Sequence, residues 1–434
     1  MKRIHRLRLI PIALVAFVAA LPVAVIHASP VAAPSHTHPG ARVTVRFAHF
    51  IDPKQLPLVK RTILAAYYKE YPNVTVAFEP IPDTRVKAVT QIAAGTAADV
   101  FNLGDGDVGW YEAKGALVDL VPFARRSHFS LSQYVPATLI LGHVSNHQYS
   151  LPKDYSSLAI YYNKDMFKAA GLPFPSNNWT WDDFRRDAIK LTKNGVYGAV
   201  LPGDWPRAVD AVVRAFGGRL DSPDGKRVQN YMDSPTTARA IQFWINLFSK
   251  DKISPTPSQA SSLNLGDLFA SQKAAMNMTG IWPSLGASGY RKTLKFRWGV
   301  APLPRATVHA NTICYAGFAM ARSTKHPNEA WGLIKYMSGP VGDTLWATNG
   351  LPAVKSIAVK AGATRDPITS VFLTEVNFAS LPDDTNGPVA PAAVGDTLHE
   401  GLTLLLNSPG TSVAQVLKIE AKKGQAAVNA YYRG

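Results

Sequence analysis

The folded part of the chain begins with a β-α-β pattern. Apolar residues alternate with polar ones over residues 43–47, recur at helical spacing over 56–71 and alternate again over 74–78. This order predicts two parallel strands joined by a right-handed crossover. A third strand is expected at 99–103, after a helix that ends at Gly95, where glycine can adopt a left-handed conformation.

A second α/β set follows the first. We interpret residues 149–154 as a connector, after which a strand is expected at 158–162. Two later helices have typical N-terminal caps, Thr180 and Ser234. Further elements are expected as a helix at 165–170, strands near 274–278, 296–301 and Cys314, and a helix at 328–337. The last strand and helix are expected to return to the first set.

The first residues have the pattern of an export signal. Four basic residues precede an apolar stretch over 9–26, and small residues follow it. We predict a signal peptide at 1–33 and a flexible, proline-rich spacer at 34–41. An uncleaved membrane anchor is the alternative, and no cysteine lies nearby to carry a lipid. The protein is therefore expected outside the cytoplasmic membrane and not as a lipoprotein.

Charge and cysteine content exclude several classes of function. Removing the four basic residues of the signal lowers the formal net charge from +16 to +12. Because lysine and arginine are scattered along the rest of the chain, no nucleic-acid partner is expected. The single cysteine, Cys314, cannot form an internal disulfide, and its apolar surroundings predict a buried thiol. No metal site and no cofactor are expected.

A glycine-rich loop follows the third predicted strand. The run Gly104-Asp105-Gly106-Asp107-Val108-Gly109 fits G-x-G-x-x-G, but its two aspartates would repel the phosphates of a dinucleotide. It also lacks the terminal glutamate of a calcium loop. In open α/β sheets ligands bind beyond the carboxyl ends of strands, so Asp105 is a candidate acceptor for ligand hydroxyl groups.

Tryptophans in turns are the strongest candidates for contact with a sugar. Trp110, Trp205 and Trp282 each follow a strand-like run, close to glycine or proline. An indole ring in such a place can lie against the apolar face of a pyranose. Trp244 and Trp331 lie on helical stripes and are expected in the core.

Two other functions stay open. Adjacent tyrosines bind ferric iron in some binding proteins, and this chain has such a pair, Tyr161 and Tyr162. Alternation along the strand, however, points one ring to the core and the other to the lobe surface. No nucleophile motif or recognisable carboxylate pair appears in the sequence. A secreted glycan-active enzyme remains an alternative, since hydrolase carboxylates come together only in the fold.

Segments in a fixed order give the chain a family resemblance. They include Ala98-Asp99-Val100, Gly115-Ala116-Leu117, Ser150-Leu151-Pro152, Tyr161-Tyr162-Asn163-Lys164-Asp165, Thr180-Trp181-Asp182-Asp183-Phe184, Gly280-Ile281-Trp282, Gly299-Val300-Ala301-Pro302 and His326-Pro327-Asn328-Glu329-Ala330-Trp331. Together these segments resemble the extracellular solute-binding proteins of carbohydrate ABC importers, the group that is similar to maltose-binding protein. The resemblance covers nearly all of the chain after the signal.

The resemblance implies an α/β, two-lobed, periplasmic-binding-protein type II fold. Each lobe would be a mixed, mostly parallel sheet flanked by helices, with a hinged cleft between the lobes. We place lobe 1 at 42–150 plus 303–338, and lobe 2 at 151–302 plus 339–434. Such a protein would be a monomer without enzymatic activity that captures a sugar or oligosaccharide in the cleft by hinge closure and passes it to ABC permease subunits in the membrane.

Family ligand positions fall on Asp105, Asp154 and Trp282. With Trp110 and Trp205, the predicted ligand-binding set also includes Tyr155, Tyr315 and His49. Relatives usually carry small residues where this chain has Cys314-Tyr315, so a tyrosine facing the cleft would change the shape of the pocket. Relatives also bind glycerophosphodiesters or oligosaccharides, and the basic charge keeps an anionic ligand as an alternative.

Overall fold

The computed structural model describes residues 42–81, 85–104, 106–262, 267–286, 289–362 and 365–433. The predicted signal peptide, the spacer and Asp105 lie outside these residues. Within the described ranges, no helix is long and apolar enough to cross a membrane.

Strands and helices both occur along the described chain, in runs as well as in alternation. The strands are β1 (Val43–His49), β2 (Val74–Pro80), β3 (Val100–Gly104), β4 (His143–Val144), β5 (His147–Gln148), β6 (Ser150–Ser156), β7 (Ala159–Asn163), β8 (Met276–Thr279), β9 (Trp298–Ala301), β10 (Asn311–Thr312), β11 (Cys314–Met320) and β12 (Ala379–Ser380). The helices are α1 (Leu56–Val59), α2 (Ala65–Glu70), α3 (Arg85–Ala93), α4 (Asp107–Glu112), α5 (Val121–Arg126), α6 (Pro136–Ile140), α7 (Lys164–Ala169), α8 (Trp181–Leu191), α9 (Pro206–Ala215), α10 (Pro235–Ser249), α11 (Pro257–Ser262), α12 (Tyr290–Thr293), α13 (Pro327–Ser338), α14 (Pro340–Trp346), α15 (Lys355–Lys360), α16 (Pro367–Val376), α17 (Thr397–Asn407) and α18 (Val413–Arg433). A π-helical stretch, Lys60–Leu64, joins α1 to α2.

The largest sheet in the described residues has the strand order β2-β1-β3-β11-β6. β1 is parallel to β2 and to β3, which confirms the predicted β-α-β unit and third strand. β11 lies between β3 and β6 and is antiparallel to both. The strand around Cys314 therefore returns to the first sheet, and α13 packs on it.

The interpretation of residues 149–154 as a connector was wrong. Most of this stretch belongs to β6, an edge strand that pairs with β11. Pro152 stands where the register between the two strands shifts, opposite Gly317. Proline has no N–H group for the ladder and is confined to edge strands and bulges, so a strand that contains one is easily missed in a sequence.

A smaller sheet has the order β8-β7-β9, with β7 antiparallel to both neighbours. Bridges from Tyr197 to Ala274 and from Val200 to Asn277 place another extended segment parallel to the chain that enters β8. The predicted caps are also present. Thr180 and Asp183 form a reciprocal capping box, and the Ser234 hydroxyl accepts a hydrogen bond from the Thr237 amide, at 3.2 Å.

The buried apolar residues form two cores. The first core includes Phe47, Phe318 and Trp331 and lies around the large sheet. The second core includes Trp181, Trp244 and Leu402 and lies around α8, α10 and α17. Trp244 and Trp331, the two tryptophans predicted to lie in the core, are therefore both buried.

Strand β7 contributes to both cores. Tyr161 belongs to the first core and Tyr162 to the second, because successive side chains on a strand point to opposite faces. This confirms the predicted opposite orientation of the two rings, but Tyr162 is buried and does not lie at a lobe surface.

Segments that link the two cores meet at the buried side chain of Asn311. Its amide group donates to the Leu158 carbonyl at 2.8 Å and to the Glu375 carboxylate at 2.7 Å. Its Oδ1 atom accepts from the Leu158 amide at 3.1 Å. Because such groups are costly to leave unpaired, the network holds the crossing segments in one arrangement.

Residues 345–354 contribute to the first core. The lobe boundaries drawn from the sequence stay a prediction.

Candidate functional site

A cavity of about 620 Å³ lies between the two cores. From the side of the first core it is lined by residues after β1, by Gly104, by β6 and β11, and by the turn 348–350. From the side of the second core it is lined by Trp205 and Trp282. The volume falls within the range of roughly 300–1,000 Å³ that is usual for small-molecule sites.

The two tryptophans come together because their strands end side by side. The segment with Tyr197 and Val200 runs parallel to the chain that forms β8. The first segment leads to Trp205 and the second to Trp282, and both turns project from the same edge of the sheet. The ring centroids lie 6.3 Å apart at an interplanar angle of 72°. Two sequence-predicted residues therefore form one aromatic wall.

The turn at Gly280 determines where the Trp282 ring lies. A Cβ atom at position 280 would be 2.0 Å from Cζ3 of Trp282, so the ring is packed against the glycine backbone. The buried Tyr161 hydroxyl donates to the Gly280 carbonyl at 3.1 Å and holds the turn. The glycine in the Gly-x-Trp segment is thus required by the close approach of the indole.

Charged side chains line the cavity from β6. Lys153 is ion-paired with Asp154, and its ammonium lies 4.7 Å from the centroid of the Trp346 ring. Gly350 packs on Asp154, since a Cβ at position 350 would be 2.6 Å from the Asp154 Cβ. Close by, burial raises the pKa of Asp343 to about 7, and the charge of Asp154 adds to the increase.

Tyr155 and Tyr315 stand directly opposite each other on β6 and β11. Burial raises the pKa of Tyr155 to about 12, so its hydroxyl is neutral near pH 7. The Tyr315 hydroxyl lies 3.0 Å from the Ser150 hydroxyl and above Gly317, where a Cβ would be 2.1 Å from it. The tyrosine at position 315 therefore contributes to the cavity wall, next to the buried Cys314.

Five of the eight candidate residues line this cavity: Asp154, Tyr155, Trp205, Trp282 and Tyr315. His49 does not line it; its ring packs between Phe47 and Phe78 and accepts a hydrogen bond from the Ile51 amide. Burial lowers the pKa of His49. Trp110 is buried in the first core with Lys114 above its ring, and it does not line the cavity either. Asp105, the eighth, lies outside the described residues.

Sequence reasoning missed several lining residues. Phe50, Asp52 and Lys54 follow β1, so the rule that ligands bind beyond the carboxyl ends of strands applied to them as well. Thr348 and Asn349 follow α14. No local pattern marks the second pair, because the packing of the first core brings this turn to the cavity.

The described lining is balanced in charge. Asp52 and Asp154 are matched by Lys54 and Lys153, so the formal charge of the described wall is zero. In the described part of the chain, no group of three or more His, Cys, Asp or Glu residues could hold a metal ion. The arrangement offers aromatic faces together with hydrogen-bonding groups, which suits an uncharged polar ligand with apolar faces.

Comparison with known proteins agrees with this geometry. Residues 55–344 match the profile of the bacterial extracellular solute-binding proteins. A multiple sugar-binding protein of Streptococcus mutans is 23% identical over 369 residues, which cover 78% of this chain and 82% of that protein.

Solved structures share the fold. An ABC substrate-binding protein of Listeria monocytogenes in complex with cycloalternan gives a TM-score of 0.76 at 24% identity, covering 90% of this chain and 99% of that chain. UgpB from Mycobacterium tuberculosis in complex with glycerophosphocholine gives a TM-score of 0.74 at 18% identity, covering 91% of this chain and 99% of that chain. The two-lobed periplasmic-binding-protein fold expected from the sequence is therefore confirmed.

Proposed function

The chain belongs to the family of bacterial extracellular solute-binding proteins, and from this premise we propose that it captures a carbohydrate for an ABC importer. It acts as an exported protein, as the family implies. It binds its ligand between the two cores as a monomer and presents the closed form to membrane permease subunits. We further propose that it is not a lipoprotein and that it makes and breaks no covalent bond in its ligand.

The observation that carries the proposal is the aromatic wall opposite charged and hydroxyl groups. Trp205 and Trp282 offer ring faces to the apolar side of a sugar. Lys153, Asp154 and the polar turn at 348–350 lie in the same cavity and can bond to sugar hydroxyls. Because the ligand touches both cores at once, its binding stabilises the closed state over the open one.

The charge balance of the cavity favours a neutral sugar over a glycerophosphodiester. A net positive lining would favour an anionic phosphodiester, whereas the two lysines here are matched in number by two aspartates. Ferric iron is disfavoured because Tyr161 and Tyr162 point into different cores.

A thermal-melt screen of the chain from Ser35 onward tests the function. The panel contains mono- and oligosaccharides, glycerophosphodiesters, amino acids, polyamines and ferric citrate. A ligand present at 100 times its Kd should add about 2.7 kcal/mol to the stability, enough to raise the midpoint visibly. We expect a shift with one class of saccharide.

The other outcomes distinguish the alternatives. A shift only with phosphodiesters or iron would contradict the carbohydrate assignment. Product analysis after incubation with the saccharide that binds tests for an enzyme, because a receptor returns the sugar unchanged.

A further inference from the structure

The wall of the cavity contains a buried lysine, Lys153. It lines the cavity next to Asp154, yet its side chain is only 4% exposed. Lysine is almost never buried to this extent unless its charge is paired. The ammonium group is therefore a fixed positive charge at the ligand site, unlike the mobile charge of a surface lysine.

A β-bulge in β6 brings this lysine beside Asp154. Ala316 of β11 stands opposite Asp154. The next residue of β11, Gly317, stands opposite Pro152, so Lys153 is the extra residue of the bulge and has no counterpart. Neighbours on a regular strand point to opposite faces, whereas a bulge re-aims a side chain. The bulge thus allows Lys153 and Asp154 to meet and form their ion pair.

The first core holds the ammonium group of Lys153 in place. The group lies 4.7 Å from the centroid of the Trp346 ring, at a distance typical of a cation-π contact. Burial raises the pKa of the neighbouring Asp343 to about 7, and the charge of Lys153 acts in the opposite direction. Below this pH Asp343 is mostly protonated, so the ionised partner of the lysine is Asp154.

The ion pair limits which ligand groups the Asp154 carboxylate can accept. An ionised carboxylate has lone pairs for several donors, so it can accept from a sugar hydroxyl while it is paired with the lysine. A protonated amine in the same place would meet the ammonium group of Lys153. Like charges repel more strongly in a site with little water than in bulk solvent, and such a contact selects against the wrong ligand.

We propose that Lys153 determines specificity by excluding amino sugars from the contact with Asp154. The ligand is then a saccharide that presents hydroxyl groups, and no ammonium group, to this wall of the cavity. This inference rests on the proposed function and narrows the class of sugar.

Calorimetric titration with amine-substituted ligands tests the inference. The ligands are the saccharide that stabilises the protein in the melt screen and the analogues in which one hydroxyl group at a time is replaced by an amine. At about pH 6 these amines are protonated. The wild type should bind at least one analogue about tenfold more weakly than the parent saccharide, as for the loss of one hydrogen bond to a charged group.

Lys153→Met removes the ammonium group and keeps an unbranched side chain. For the analogue that the wild type rejects most strongly, the affinity relative to the parent saccharide should rise about tenfold in this variant, because Asp154 is then free to pair with the amine. The gain should disappear in the double variant Lys153→Met/Asp154→Asn, which has no carboxylate to attract the amine. A general change in the shape of the cavity would not depend on Asp154 in this way.

A matched control removes the same charge outside the cavity. Lys60 is exposed, lies over the Phe78 ring and does not line the cavity, so Lys60→Met should leave the ratio of the affinities unchanged. If Lys153→Met does not fold, Asp154→Asn tests the pair from the other side. It leaves the ammonium group unmatched, so the uronic acid of the same saccharide should gain about tenfold relative to the parent. An unchanged ratio for the uronic acid would overturn the inference.

Three further results would overturn the inference and leave the proposed function intact. The first is a wild type that binds every amine analogue as tightly as the parent saccharide. The second is an unchanged ratio in Lys153→Met. The third is a gain that persists in the double variant. If no saccharide binds the wild type in the screen, the proposed function itself is contradicted, so the two failures are distinguishable.

Discussion

Replacing Gly280 with alanine should weaken sugar binding through the displacement of Trp282. The added Cβ would lie 2.0, 2.4 and 2.5 Å from three atoms of the indole ring, distances at which the atoms cannot coexist. The backbone at 280 is not in the left-handed region, so alanine adds a steric effect without backbone strain. We expect the side chain of Trp282 to rotate away, because the turn is held by Tyr161.

The size of the effect follows from the role of the ring. An aromatic side chain at the centre of a binding site typically contributes about 2 kcal/mol or more to binding. Since 1.4 kcal/mol corresponds to a factor of ten, a displaced ring should raise Kd about 30-fold. Trp282→Ala should have a similar effect, because both changes remove the same contact.

A double-mutant cycle separates displacement of the ring from general damage to the site. Affinities of the wild type, Gly280→Ala, Trp282→Ala and the double variant are measured by calorimetry with the saccharide from the screen. If alanine at 280 acts only through the indole, it has no further effect once the ring is absent. Additive losses, or an unchanged Kd for Gly280→Ala, would refute the reasoning.

Three further predictions follow from the same geometry. Gly109→Val should lower the affinity for the saccharide, because a Cβ at position 109 would already lie 3.2 Å from Cγ of Pro391 and a larger side chain would oppose closure. The radius of gyration of the ligand-bound variant, measured by small-angle X-ray scattering, should be larger than that of the wild type. An unchanged radius and affinity would contradict this prediction. Cys314, the single cysteine and a lining residue, should react with iodoacetamide more slowly in proportion to the bound fraction, and an unchanged rate at saturation would place the ligand elsewhere. Burial raises the pKa of Asp343 from 3.8 to about 7. As the pH rises through this interval, the wild type should therefore lose up to about 4 kcal/mol of unfolding free energy relative to Asp343→Asn. The free energies are measured by urea unfolding at each pH, and a difference between the two proteins that stays constant with pH would contradict the prediction.

Much of the fold could be predicted because its signals are local. Alternation and helical spacing marked β1, β2 and the helix between them, and Thr180 and Ser234 marked helix starts. Glycine and proline next to strand-like runs pointed to Trp205 and Trp282. Each of these signals depends on interactions between residues close in the chain, which a sequence displays directly.

Other features depended on contacts between distant segments. β6 was mistaken for a connector because its partner, β11, lies more than a hundred residues further along. Trp110 and His49 lie close to the ends of strands, as true lining residues do. The Trp110 ring is nevertheless buried in the first core, and the partly buried His49 ring packs between Phe47 and Phe78. Only packing decides which way a side chain points.

The amino-acid sequence alone indicated most of the elements, the family and the aromatic character of the site. The packing of distant segments sets which side chains share the cavity, and it brings Gly280 and Gly350 to the places where they make room for Trp282 and Asp154. The physical reason is that element formation is governed by short-range periodicity, whereas a cavity between two cores is formed by residues whose proximity arises only when both cores are packed.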